Sequence, residues 1–415
     1  MLTAETHRTI DAVWRIESAR LIAGLVRVVR DVGLAEELAQ DALVAALEQW
    51  PESGIPQNPG AWLMGTAKHR AIDLIRRNKI AERKYEAIGR ELEEAIEPAI
   101  EEQLDDHVGD DLLRLILIAC HPVLSREARV ALTLRLLGGL TTEEIARAFI
   151  TPEPTVAQRI VRAKRTLNEA RVPFEVPRGT ELTARLSSVL EVIYLIFNEG
   201  YTATAGEHWL RPALCEEALR LVRILAQLVP NESEVHGLAA LLEIQASRLG
   251  ARTDSHGEPV LLIDQDRTKW DRFLMQRGLD SLARAESFGA TLGPYALQAA
   301  IAGCHARARS VAETDWERIV ALYDGLVELT QSPIVELNRA VAVSLAYGPA
   351  QALELVDGLN EVIPGYHLLY AVRADLLQKL NRPEEARTEL ARAAALTRNA
   401  KERELLLKRM RAVGG

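Results

Sequence analysis

The chain has 415 residues, 48% of them hydrophobic and 5% aromatic, and a net charge of −9. That length holds about two or three domains with cores of their own, and the abundance of Ala, Leu, Arg and Glu suits an all-α fold. The acidic balance excludes nucleic-acid binding over the whole surface. No apolar run reaches the roughly 18 residues of a membrane span, no secretory leader is evident, and Cys120, Cys215 and Cys304 have neither metal-ligand nor disulfide spacing, so a cytoplasmic protein without a membrane, metal or cofactor is expected.

In chain order, residues 8–31 read as a helix with an apolar side that includes Ile10, Trp14, Leu21, Ile22 and Leu25, ending at Asp31-Val32-Gly33. A second helix follows to Trp50, with Glu36, Glu37 and Asp41 expected on one acidic edge free to face a partner. After the loop PESGIPQNPG, the helix AWLMGTAKHRAIDLIRRNK carries Trp62 and the cations Lys68, His69, Arg70, Arg76, Arg77 and Lys79. An aromatic group beside a run of cations is the chemistry that holds unpaired bases against a phosphate backbone, although a core tryptophan with a solvated basic face fits the same residues. Asp73 could equally pair with Arg76 or Arg77 along the helix. Residues 80–110 are strongly acidic, as in a solvated linker. Beyond them, His121-Pro122 marks an inter-helix turn and Gly138-Gly139 a helix end.

Residues 141–171, TTEEIARAFITPEPTVAQRIVRAKRTLNEAR, read as two helices joined by a tight turn. Thr142 is the expected N-cap, followed by two acids that suit the helix dipole. Pro152 and Pro154 break the chain, and Pro154 is tolerated in the first turn of the next helix. That helix has an apolar face of Val156, Ile160, Val161, Ala163 and Leu167 and a basic one with Gln158, Arg159, Arg162, Lys164 and Arg165. Helix, turn and basic second helix is a DNA-binding pattern in which the second helix enters the major groove. An ordinary helical hairpin would share the pattern, and the upstream basic helix favours the DNA reading.

VPFEVPRG at 172–179 is a boundary, and the chain is helical again from Glu181. Asn198-Glu199-Gly200-Tyr201 reads as a helix end with Gly200 as C-terminal cap, or as a docking point. Residues 251–271 break the pattern: VLLI reads as a short extended segment, and Asp264, Asp266 and Asp271 belong either to a loop that staples two helical layers or to a metal site. In the last third, Ala340 and Ala374, Val343 and Leu377, Ala352 and Ala386, and Val356 and Leu390 are 34 residues apart. Small residues at helix crossings with that period are the mark of tetratricopeptide (TPR) repeats, which stack into a curved binding surface. No nucleophile elbow, phosphate loop or HExxH motif occurs, so no enzyme is expected.

The order of these pieces resembles a bacterial extracytoplasmic-function (ECF) sigma factor. The AEELAQDA helix, the loop and the AWL…AIDLIRR helix resemble its region 2, and residues 111–171 its region 4. The resemblance implies two small helical sigma domains, at 1–79 and 111–171, with 80–110 as the acidic linker between them. A TPR-like helical extension spans 180–415, clearest at 335–400. It implies that Glu37, Gln40 and Asp41 dock on core RNA polymerase. Trp62, Lys68, His69, Arg70, Asp73, Arg76 and Arg77 would read and melt the −10 element of promoter DNA, and Thr155, Gln158, Arg159, Arg162 and Arg165 the −35 element. Lys68-His69-Arg70 stands where many relatives have Arg-Asn-Leu, which implies a changed −10 preference. The extension is expected to regulate in cis and to offer its repeats to a protein or small-molecule ligand. A helix-turn-helix regulator with a TPR sensor, acting without polymerase, is the alternative.

Overall fold

The structure, a computed structural model, describes residues 2–83, 108–203, 209–255, 257–289 and 291–413. Most of the acidic stretch expected as a linker, residues 84–107, lies outside them. The described residues fold as helices, with a single isolated β-bridge between Thr253 and Pro259, as the all-α reading requires. They form two compact units, 1–193 and 194–415.

The first unit starts with α1 (Leu2–Val29), α2 (Val32–Ser53) and α3 (Pro59–Arg83). Ile10, Leu21, Ile22 and Leu25 of α1 are buried, as are Ala35, Ala39, Ala42, Ala46 and Trp50 of α2. The run of alanines brings α2 close to α1. Asp31 caps α2 by accepting from the Leu34 amide at 2.8 Å. The helix continues through Pro51, which had marked its expected end, because the lost hydrogen bond falls in the last turn.

Four helices complete this part: α4 (Val108–Ala119), α5 (Arg126–Leu136), α6 (Thr142–Ala148) and α7 (Glu153–Glu169). His121 forms the expected turn, its Nδ1 accepting from the Val123 amide at 3.0 Å. Burial lowers its pKa to about 4, so the ring is neutral at pH 7. The N-cap of α6 is Thr141, one residue before the expected Thr142. Its hydroxyl accepts from the Glu144 amide at 3.1 Å while Glu144 accepts from the Thr141 amide at 2.8 Å, a capping box. Pro154 sits in the first turn of α7 as expected.

Helix α8 (Thr180–Tyr201) supplies residues to both units. In the first unit Leu186, Val189, Leu190 and Val192 are buried, the Ser188 hydroxyl donates to the Cys120 carbonyl at 2.5 Å, and Glu191 pairs with Arg126 and Arg129. In the second unit Gly200 lies inside α8 and does not cap it. A Cβ there would come within 2.7 Å of the Cys215 amide, so the position is glycine because another helix presses on it.

That helix is α9 (Pro212–Leu228); α10 (Ser233–Ala246), α11 (Arg272–Ser287) and α12 (Pro294–Arg307) follow, then α13 (Trp316–Thr330), α14 (Pro333–Ala346), α15 (Pro349–Gly358), α16 (His367–Lys379), α17 (Pro383–Leu396) and α18 (Ala400–Ala412). All eight residues of the 34-residue register are buried. The repeat also carries an ion pair that the apolar register does not show. Arg339 bonds Asp324 at 2.6 Å and Arg373 bonds Asp357 at 2.8 Å, each tying a helix to the one before it. The unit closes on itself: the Asn399 amide donates to the Ala203 carbonyl at 3.0 Å, and Lys401 bonds Glu258 at 2.7 Å.

Residues 251–271 staple the layers, as the loop reading had it. The Asp271 amide donates to the Ser247 carbonyl, and Arg267 donates to the carbonyls of His305 and Ala308. Asp266 accepts from the Thr268 amide and Asp271 caps α11, so both acids serve the backbone. The extended segment expected at VLLI turns at Leu262–Asp264 into one turn of 3-10 helix. Because Ala374 is fully buried at a helix crossing, Ala374→Leu should overpack it and destabilise the protein by about 1–3 kcal/mol, read as a lower urea midpoint at unchanged slope.

Candidate nucleic-acid and polymerase interface

Helix α7 divides its residues by direction. Val156, Ile160, Ala163 and Leu167 are buried. Val161, expected with them, is 64% exposed, because it lies one residue round from Ile160 and falls off the packed face. Thr155, Gln158, Arg162 and Arg165 are exposed at spacings of three or four, one continuous stripe. Arg159 at its edge is half-buried, and Arg165 bonds Glu169 at 2.6 Å. Lys164, grouped with the basic face from sequence, turns inward.

On α3, Leu63, Ala67, Ala71 and Ile72 are buried, while His69, Asp73, Arg76 and Arg77 are exposed on the other side. Trp62 is half-buried and meets Trp50 edge-on with ring centroids 5.3 Å apart, so it belongs to the core margin as well as to the surface. Lys68 and Arg70 are half-buried, and Arg70 pairs with Asp41 at 3.2 Å. Of the expected polymerase-facing residues, Glu37 and Asp41 are exposed and Gln40 half-buried. The stripe continues with Val44, 49% exposed, and Leu47, 37% exposed, which the sequence reading passed over. An acidic helix stripe ending in two exposed apolar side chains suits a protein partner. The spacing 37, 40/41, 44, 47 would have revealed it.

The acidic edge expected of α2 is not uniform. Glu36 is buried, 4% exposed; its carboxylate accepts from Arg135 Nε at 2.6 Å and forms an ion pair with Lys164 Nζ. Arg135 comes from α5 and Lys164 from α7, so one carboxylate joins the AEELAQDA helix to both. Three further contacts run alongside. The Asp31 carboxylate accepts from the Asn168 amide at 2.8 Å, Arg15 bonds Glu144 at 2.8 Å, and Arg27 pairs with Asp111 at 3.3 Å. The stripes on α3 and α7 therefore belong to one packed body.

Sigma-70 region 2 matches residues 16–80, sigma-70 region 4 matches residues 114–167, and a family of unknown function (DUF6596) matches residues 185–286. An uncharacterized protein of Rhizobium meliloti, R00370, is 43% identical over 383 residues, 92% of this chain and 90% of its own. A probable ECF RNA polymerase sigma factor of Mycobacterium tuberculosis, SigI, is 29% identical over 175 residues, 41% of this chain and 58% of its own. An ECF RNA polymerase sigma factor of Mycobacterium sp., SigK, is 27% identical over 171 residues, 39% of this chain and 83% of its own. No solved structure matches.

Replacing Glu36 by alanine leaves Arg135 and Lys164 without their shared acceptor. Loss of one partner of a buried pair costs about 3–5 kcal/mol, and both cations are about a fifth exposed, so about 1–3 kcal/mol is expected for Glu36→Ala. Urea unfolding measures the loss, and in a double-mutant cycle Arg135→Ala should cost less in the Glu36→Ala background than in the parent.

Proposed function

Because this chain belongs to the ECF sigma factors and carries a C-terminal extension, we propose that it binds core RNA polymerase, directs promoter-specific transcription initiation, and is regulated in cis by that extension. The observation that carries the promoter reading is the division of α7 into a buried apolar face and an exposed stripe, Thr155, Gln158, Arg162 and Arg165, with Arg159 at its margin. A helix standing on its apolar face with cations turned outward can enter a major groove. Bidentate arginine contacts to base edges give about 1–3 kcal/mol of discrimination each, and contacts to phosphate give affinity that falls with salt.

The exposed His69, Asp73, Arg76 and Arg77, with Trp62, Lys68 and Arg70 at the margins, are assigned to the −10 element. Cations there hold the backbone while the tryptophan face receives an unstacked base. Glu37, Gln40 and Asp41, extended by Val44 and Leu47, are assigned to the polymerase. These roles are compatible with the packed body only if it opens. Promoter elements 25 base pairs apart are separated by roughly 85 Å of duplex, whereas α7 is about 25 Å long. In this account Glu36 lets go of Arg135 and Lys164 when polymerase and promoter engage both parts.

Regulation by the extension is supported by α8, whose first half is built into the unit that carries region 4 through Ser188 and Glu191. In this reading the extension regulates in cis by holding region 4 in working order.

Run-off transcription with purified core polymerase tests the function. The full chain should produce promoter-specific transcripts, where a regulator acting without polymerase would produce none. Arg159→Ala/Arg162→Ala/Arg165→Ala should abolish −35-dependent transcription, and unchanged transcription would remove that assignment. Arg76→Ala/Arg77→Ala should reduce strand opening in permanganate footprints while core binding persists. Truncation after Arg178, which deletes the buried part of α8, should lose activity, and truncation after Tyr201 separates the loss of that helix from the loss of the repeats. Activity equal to the full chain from both truncations would show that the extension does not regulate.

A further inference from the structure

Buried charges in folded proteins are ordinarily paired, because desolvating an isolated ion costs several kcal/mol. A group of arginines in the second unit departs from this rule. Arg248 and Arg252 are 7% and 9% exposed, and Arg267 lies close by on the stapling loop. Their bonds go to neutral groups. Arg248 donates through Nε to the Tyr201 phenol oxygen at 3.1 Å and through Nη2 to Gln245 Oε1 at 2.6 Å. Arg252 donates to the Tyr201 carbonyl and the Thr202 hydroxyl, both at 2.9 Å, with its guanidinium 3.7 Å from the centre of the Tyr201 ring. Arg267 bonds two carbonyls and the Thr314 hydroxyl. No carboxylate of the described residues lies within ion-pair distance of any of the three, and Nη1 of Arg248 donates to none of their groups. Burial and the neighbouring Arg248 charge push the pKa of both Arg252 and Arg267 down, against the opposing pull of Tyr201 on the first and of the Glu313 charge on the second, as expected of crowded cations.

Arg248 lines a cavity of about 300 Å³ together with Tyr194, Asn198, Gln298 and Asn338. A second cavity, of about 340 Å³, shares Leu262, His305, Tyr323 and Asn338 as lining and is walled by Val341, Leu345, Leu368 and Val372. His305, at the join, is 8% exposed and its Nδ1 has no hydrogen-bond partner. The two adjoin, one polar with Arg248 on its wall, the other mainly apolar and bordered by Leu261–Ile263 of the stapling loop and by the mutually paired Asp375, Lys379 and Arg409. Each cavity lies within the range of about 300–1,000 Å³ that holds a small molecule.

We propose that the two adjoining cavities bind a small amphipathic anion, with its carboxylate or phosphate headgroup on Arg248, its join to the body beside His305, and its apolar body against Val341, Leu345, Leu368 and Val372. Arg248, which has no ion-pair partner among the described residues, supplies the attraction for the headgroup, and the apolar walls select the body. The site does not depend on the transcriptional reading, since binding is measured on the full-length protein alone.

Thermal unfolding of the full chain with decanoate, decyl phosphate, decanol and butyrate tests it. Decanoate, decyl phosphate or both should raise Tm by about 5 °C at saturation, whereas decanol lacks the charge, butyrate lacks the body, and neither should match them. The two anions distinguish carboxylate from phosphate recognition. Arg248→Gln should weaken binding of the active anion at least about tenfold, the effect of one charged hydrogen bond. Since Arg248 also supports Tyr201, Val341→Trp provides an independent probe: it fills the apolar end from a position 37% exposed and should abolish the shift without touching the arginines. No shift with either anion, an equal shift with decanol, or undiminished binding in both variants overturns the proposal.

Discussion

Glu36 is the point on which the first unit turns. A carboxylate this buried is sustained only by cations brought to it, and both come from a segment about 100 residues or more downstream in sequence, Arg135 at 2.6 Å and Lys164 beside it. The apolar packing around it does not depend on direction, but the ion pair does: it fixes α5 and α7 against α2 in one register. The exposed stripes on α3 and α7 therefore face outward from the body that Glu36 closes, and α7 is exposed on one side while its other side is engaged. Partial exposure of both cations keeps the attraction moderate.

The second unit solves a different problem. Repeats that stack need small residues at each crossing, and Ala340, Ala352, Ala374 and Ala386 are all fully buried. An open solenoid would leave its concave face in solvent. Here Asn399 and Lys401 return to the start of the unit, and Leu261–Ile263 of the loop at 251–271 line the rim of two adjoining cavities that stay open to solvent. Arg248 on the wall, with Arg252 behind it, is held by an aromatic ring and neutral oxygens, an arrangement that positions charge without an ion pair.

Much of this was legible in the sequence. The helix-turn-helix follows from the acids of its first turn, the prolines and the apolar spacing, with the N-cap misplaced by one residue, and the helical register of the last third follows from a 34-residue spacing of small and large residues. The misreadings share one physical cause, the influence of residues distant in sequence. Glu36 and Glu37 are adjacent, and helical geometry turns neighbours about 100° apart, yet only the position of Lys164 decides that the first is buried and the second exposed. Gly200 carries a good local signal for a helix end, and α9 pressing on it overrides that signal. The cluster of arginines gave no signal at all, since 248, 252 and 267 are ordinary charged residues until folding buries them among neutral hydrogen-bond partners.

The opening of the Glu36 contact can be observed directly. Donor and acceptor dyes at Glu52→Cys and Glu169→Cys, both exposed positions, report the separation of α2 from α7, and the native Cys120, Cys215 and Cys304 are buried. The account predicts a single high-transfer population for the free protein, shifted to low transfer when core polymerase and promoter DNA are added. It further predicts a partial shift in free Glu36→Ala protein. High transfer retained in a complex that is actively transcribing would contradict it.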